Sequence, residues 1–319
     1  MARLDYGEFK EYCTKNLLTV LGVDKYEAVS RTILESDEVE IDSVEIKEKG
    51  SKAGPFPSFR VQPLYKDYCD GKSLGQVMLK LLNTIEWFID NTPSIADTSI
   101  FDAFDNAKDN LIIRPISYSY NKKILQDFVY KQHGDVAVVL YMLMHASSES
   151  MGTAKVPKPT VEQWGMDESF LLRTALENTA ALFPPHLVPM EVAFRGADAI
   201  SILPDHRKYF MNPLVRYSPT PSRLDTYYLS VDKSINGAAA IFYPGVLERI
   251  TALYNDDLHI SLPCITEALI HPVSKSDTRK LGRAAKSMFT QMDIGERLSS
   301  SIYYYSRSEK ELRMLDGNR

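Results

Sequence analysis

A chain of 319 residues, 44% hydrophobic and 25% charged, has a globular composition and is long enough to bury a core without metal or disulfide staples. Its formal net charge of −5 disfavours non-specific nucleic-acid binding. No run approaches the ~18 apolar residues of a membrane span, and the acidic start from Met1 to Glu8 lacks the apolar centre of a signal peptide. Three dispersed cysteines, Cys13, Cys69 and Cys264, argue against a disulfide framework or a zinc ribbon and suit a reducing cytoplasm.

The first element is a helix from Asp5 to Leu21. Phe9, Tyr12-Cys13, Leu17 and Val20-Leu21 recur at helical spacing, and Gly22 is a stop. Val39, Ile41, Val44 and Ile46 then alternate imperfectly, which reads as a half-buried and bulged strand. A turn-rich stretch leads to a short helix near Leu64–Cys69. A longer helix follows from Ser73, a good N-cap, to about Ile89. "LIIRPISYSY" reads as a strand in which Pro115 requires an edge or bulged position. "VAVVLYMLMHA" is a near-continuous apolar run, either a strand buried on both faces or a buried helix. Asp167 caps a helix whose Leu171-Leu172, Ala175-Leu176 and Thr179 form an apolar stripe.

Residues 184–223 hold seven of the seventeen prolines, which neither donate to a ladder nor suit helix interiors. This segment is the candidate connection between an N-terminal α+β lobe, 1–183, and a C-terminal α+β lobe, 224–319, unless the chain is one continuous domain. Beyond it, Tyr227–Val231 reads as a strand, Asp232–Gly237 as a turn, Ala238–Tyr243 as a second strand, and Pro244 as the opening of a helix. Asn236-Gly237 is a hairpin signal because both residues tolerate positive φ. A phosphate loop is disfavoured: Gly237 and Gly245 are far apart, and neither the Walker lysine nor the GxGxxG spacing is present. The spacing from Gly152 to Pro159 equals that from Gly237 to Pro244, so either a strand–turn–strand–helix unit is weakly duplicated or two hairpins coincide. The remainder reads as a strand broken near Pro263, a helix over Thr278–Phe289, and a closing pair from "SIYYYSR" and "KELRML". The fold class expected is α+β, with mixed or antiparallel sheets packed with helices.

His259, Glu267 and His271 are the candidate catalytic residues. Together with Ser261 they share one parity, so an uninterrupted strand would place them on one face, as metal ligands or as a base with its orienting acid. Pro263 should break that strand and separate His259 from the other two, leaving a polar, solvent-facing surface. His133 with Asp135 could pair a base and a carboxylate, although a strand-entry turn with a satisfied histidine accounts for them; His145 with Glu149 is a similar pair. Cys264 lacks a cationic neighbour in sequence and reads as inert. Arg279, Lys280, Arg283 and Lys286 read as a solvated helix face. No GxSxG, HExxH or CxxC motif occurs, so neither a cofactor nor a metal is expected.

The stretches "NGAAAIFYPGVLERI", "ISLPCITEALIHPV", "QHGDVAVVLYML" and "WGMDESFLLRTALENT" resemble an uncharacterised bacterial family, a domain of unknown function common in Gram-positive anaerobes, from about Tyr6 to Leu312. The resemblance implies an α+β fold and one evolutionary unit. Family members often carry a Ser-Ser-Ile-His-Glu-like run. Here Glu267 is kept and Thr266 stands in place of the histidine, so a catalytic role for that run would imply an impaired copy. Two functions are expected in alternative. One is a cytoplasmic, non-enzymatic protein-binding protein, in some contexts a mobile-element inhibitor, suggested by the absence of catalytic motifs and by 18 tyrosines that include Tyr303-Tyr304-Tyr305. The other is a hydrolase or metal-dependent enzyme centred on His259, Glu267 and His271.

Overall fold

The computed structural model describes residues 3–36, 39–50, 58–91, 98–146, 151–195, 206–212, 214–216, 218, 221–231 and 236–315. The chain forms two compact units, Met1–Asp102 and Ala103–Arg319. Helices alternate with sheets in both, and every strand pairing among the described residues is antiparallel, which makes the fold α+β.

In the first unit the helix Tyr6–Leu21 begins with a capping box. Glu8 N donates to Asp5 Oδ1 at 2.8 Å, and Asp5 N donates to Glu8 Oε2 at 2.9 Å. The helix ends at Gly22, whose φ of 105° is open to glycine. Phe9, Cys13 and Leu17 fall one turn apart and are buried against a three-stranded sheet, β1 (Tyr26–Ser36), β2 (Val39–Glu48) and β3 (Ser58–Arg60), in that order. The register irregularity lies on β1, between Leu34 and Ser36. Val44 and Ile46 of β2 complete the core with Val61 of the helix Val61–Cys69 and Val77, Leu81 and Ile85 of the helix Leu74–Asn91. Ser73 caps that last helix reciprocally with Gln76.

The second unit holds two sheets. In the four-stranded one, β4 (Leu111–Ser117), β5 (Tyr130–His133) and β6 (Val136–Ala146) run in the order β4-β6-β5, and β7 (Met151–Lys155) pairs with the far end of β6. The apolar run is thus a central strand, buried from Val136 to Leu143. Pro115 sits on β4, an edge strand, where the N–H it lacks is not missed. The helix Glu168–Leu182, capped by Asp167, covers one face; its Thr179 Oγ1 accepts from Ile113 N at 2.9 Å.

The second sheet has six strands: β8 (Pro185–Pro189), β9 (Tyr227–Val231), β10 (Leu258–Ser261), β11 (Ala268–Pro272), β12 (Ile302–Ser306) and β13 (Glu311–Met314). Their order is β13-β12-β10-β11-β9-β8. Two expectations need correction here. The segment 184–223 does not separate two compact units, because the division falls after Asp102 and Pro185–Pro189 pairs with Tyr227–Val231. Two of its prolines, Pro185 and Pro189, begin and end an edge strand, a position proline tolerates as readily as a linker.

The second correction concerns residues 236–246. Ala238–Tyr243 is not a strand: Gly237–Phe242 is a buried 3-10 turn laid against the sheet, so the strand–turn–strand–helix unit of Gly152–Pro159 is not repeated. Asn236 takes the left-handed conformation, φ 55°, and Gly237 does not. Glycine is required at 237 by space. A Cβ there would lie 2.1 Å from both Ser230 Oγ and the Thr266 carbonyl oxygen. Pro244 precedes the helix Val246–Tyr254, whose N-cap is Gly245.

Candidate functional site

The two sheets of the second unit are fastened at the β5–β6 turn. Gly134 allows the tight turn with φ 61°, and Asp135 then reaches the other sheet. Ser299 Oγ and Ser301 Oγ donate to Asp135 Oδ2 at 2.9 and 3.0 Å, and Tyr303 Oη donates to Asp135 Oδ1. Three hydroxyl donors satisfy a half-buried carboxylate that would be costly to leave without partners. Asp135 is therefore an anchor, not an acid paired with the His133 ring.

Beside this junction lies a cavity of about 450 Å³, within the size range of ligand and anchor-residue pockets. Alternation along β5 points Lys131 and His133 into it, with Val138 of β6 alongside. Leu172 and Leu176, four residues apart on one helix, supply an apolar wall. The turn Ile241–Gly245 and the first residues of the following helix, Leu247 and Glu248, supply a second. Tyr305 of β12 and the stretch Lys310–Leu312 close the far side. The floor is apolar, while Lys131, Lys310, Glu248 and Glu311 bring charges of both signs.

Electrostatics follow from that enclosure. Burial, and secondly the Lys131 ammonium, lower the His133 pKa to about 4, so the ring is neutral at physiological pH; it packs against Phe242 with centroids 4.9 Å apart. Burial, and secondly the Glu248 carboxylate, push the Tyr305 phenol up to about 12. The cavity thus presents a neutral imidazole and a protonated phenol, both able to orient a bound group.

The candidate residues of the late strand lie elsewhere. Pro263 turns the chain, as expected, but the turn makes a hairpin and does not separate the histidines. His259 and His271 stand directly opposite each other in the β10–β11 register. Both are buried, 7% and 4% exposed, where a solvent-facing row was expected. His259 Nδ1 and Ser276 Oγ are 2.8 Å apart, and His271 Nδ1 lies 3.1 Å from Thr226 Oγ1. Burial, and secondly His259, lower the His271 pKa to about 4; burial lowers that of His259. Tyr304 pairs with His259 in register, so the histidines share its face of the sheet, opposite to that of Tyr305 and the cavity. Glu267 does not join them: four residues of extended chain, about 13 Å, separate it from His271, and its carboxylate accepts from Thr266 Oγ1.

Among the described residues no group of three or more His, Cys, Asp or Glu side chains is placed to hold a metal ion. The side chains of His145 and Glu149 lie outside the described residues. Cys264 is buried, and burial with Glu267 pushes its thiol up to about 12, which removes nucleophilic character. Arg279, Lys280, Arg283 and Lys286 are exposed on the helix Thr278–Gln291. No described helix is long and apolar enough to cross a membrane.

Lys131, Lys310 and Glu311 belong to no motif, and spacing along the chain does not single them out; Tyr305 stands out only as part of a tyrosine run and Glu248 only as part of the Asn236–Ile250 stretch. A collective signal existed. Three of the stretches that carry the family resemblance, those containing His133 and Val138, Leu172 and Leu176, and Ile241 to Glu248, line this one cavity.

No curated protein matches the chain, and no solved structure does. A family model does match, over residues 6–307, a span that includes the cavity's walls as far as Tyr305. The chain accordingly belongs to DUF5688, a family of unknown function.

Proposed function

We propose that the chain is a cytoplasmic, non-enzymatic binding protein that takes a protein partner at the cavity between β5, the 241–248 turn and β13. The observation supporting this reading is the cavity's composition: an apolar floor of Leu172, Leu176, Ile241 and Leu247 beneath a rim of Lys131, Lys310, Glu248 and Glu311. Protein interfaces place their strongest contacts in such a pocket, where a large side chain is desolvated and encircled by polar groups. A rim of mixed sign suits a polypeptide better than a nucleic acid, which calls for a one-signed basic surface. β5 and β13, each at the edge of its sheet, both contribute residues to the same opening, an arrangement compatible with strand addition.

Photo-crosslinking in cells tests this. A benzophenone amino acid in place of Lys310 should trap one discrete protein, and Leu176→Trp, which fills the cavity, should abolish the adduct. The same probe in place of Lys286, on a distant helix, should not give that adduct. Adducts that persist in Leu176→Trp, or no adduct from the rim, would remove the cavity from consideration.

A further inference from the structure

The other face of the four-stranded sheet carries two cations that have no acidic partner among the described residues. Arg114 of β4 and Lys155 of β7 project from that face on either side of Tyr141 of β6. Val139 pairs with Arg114, and Tyr141 pairs with Lys155, so alternation puts all three side chains on one side. The Arg114 guanidinium lies 5.0 Å from the Tyr141 ring centroid, and the Lys155 ammonium 5.3 Å from that of Phe128. Both cations are half-buried. Their neighbours are neutral: Arg114 Nε donates to Asn236 Oδ1 at 3.1 Å, and Nη1 donates to Thr153 Oγ1 at 2.9 Å. Neither cation has an ion pair among the described residues, whereas Asp42, Asp67, Asp105 and Asp225 are each bridged by lysines elsewhere.

Hydrogen-bonding capacity narrows what belongs there. Asn236 uses its oxygen on Arg114, and among the described residues nothing accepts from its amide N–H groups. Thr153 accepts from Arg114, which leaves its hydroxyl hydrogen free. The remaining guanidinium and ammonium hydrogens are donors only. We infer that Arg114, Lys155, Thr153 and Asn236 form a binding site for a phosphate-type oxyanion, either free phosphate or the terminal phosphate of a small monoester. A dianion would balance the two charges and occupy donors that neutral partners leave idle. Burial, and secondly the Arg114 charge, hold the Lys155 pKa below the usual lysine range. The site lies on the sheet face away from Lys131 and His133.

The experiment titrates inorganic phosphate into the full chain at fixed ionic strength, with chloride exchanged out. It reads the Lys155 side-chain NMR signal and the melting temperature. Saturable movement of the Lys155 signal, a raised Lys155 pKa and a phosphate-dependent rise in melting temperature are expected. Lys155→Met and Thr153→Val, conservative in shape and half-buried, should fold. Lys155→Met should weaken the phosphate response by about tenfold or more, the worth of one charge-assisted contact. Methyl phosphate separates the sources: equal affinity assigns the site to phosphate monoesters, and rejection assigns it to the free ion. No saturable movement of the Lys155 signal with either compound, or an undiminished response in Lys155→Met, would overturn the assignment.

Discussion

Gly237→Ala is the sharpest test of how the second unit is packed. The added Cβ would sit 2.1 Å from Ser230 Oγ and 2.1 Å from the Thr266 carbonyl oxygen. Non-bonded heavy atoms rest at about 3.5 Å, so each neighbour must retreat by more than an ångström. Ser230, wholly buried, donates from that same Oγ to Thr266 O at 2.7 Å. Rotating its hydroxyl away breaks the bond and strands a buried donor, at about 1–3 kcal/mol. The carbonyl is backbone, and Ala238 N donates to the adjacent Ile265 O at 3.1 Å, so moving it disturbs the contact between the 3-10 turn and the β10–β11 hairpin. Overpacking adds about 1–3 kcal/mol more, so the two together come to about 2–6 kcal/mol. Gly165→Ala is the control. Its φ of 64° is left-handed, but no atom lies within 4 Å of the added carbon, so only backbone strain of about 1–2 kcal/mol applies. Urea unfolding followed by tryptophan fluorescence and far-UV circular dichroism measures both. A Gly237→Ala cost no larger than that of Gly165→Ala would refute the steric argument.

Stability should be full above about pH 6.5 and fall as the pH drops toward about 4, because His271 and His133 are neutral when folded and take up protons readily when unfolded. His271→Gln should flatten that slope by about 3 kcal/mol between those limits, measured by urea unfolding across pH; an unchanged slope would contradict the buried, neutral imidazole. Tyr303→Phe removes the one hydroxyl that lies within hydrogen-bond distance of both Asp135 and His133 O and should cost about 1.5–3 kcal/mol; a neutral outcome in the same assay would show that this phenol does not help to hold the two sheets together. Native thiol titration at pH 8 should modify only Cys69, with burial protecting Cys13 and Cys264 until denaturant is added; rapid modification of Cys264 would contradict its enclosure.

Where local chemistry decides, the fold is legible from residues. Asp5 and Gly22 bound the first helix and Asp167 caps a later one, whereas the apolar run of Val136–Leu143 shows burial but leaves strand and helix open until its pairing resolves it as a central strand. The segment Ala238–Phe242 misleads because its burial resembles that of a strand. Alanine is depleted in strands, and here three alanines let a 3-10 turn approach the sheet closely. Parity placed His259 and His271 on a common face, but periodicity is silent on which strands pair. A hairpin therefore brought together what a broken strand was expected to part. The cavity was not legible, since its wall is assembled from distant stretches that meet only after two sheets are joined. Proline density at 184–223 suggested a boundary because an edge strand and a linker tolerate the same residue.

Tyr303 has a consequence for how the second unit comes into being. Its phenol closes contacts with residues 170 and 168 positions away, so the fastening cannot form until nearly the whole unit has been synthesised. A nascent chain presents the β5–β6 turn long before β12 arrives. In that interval Asp135 lacks its three donors, and β10 has one open flank where β12 will pair. Long-range antiparallel closure of this kind is slow, and an open strand edge recruits neighbours. A chain cut short of residue 302 would then lose one wall of its cavity while offering a sheet edge to other copies of itself.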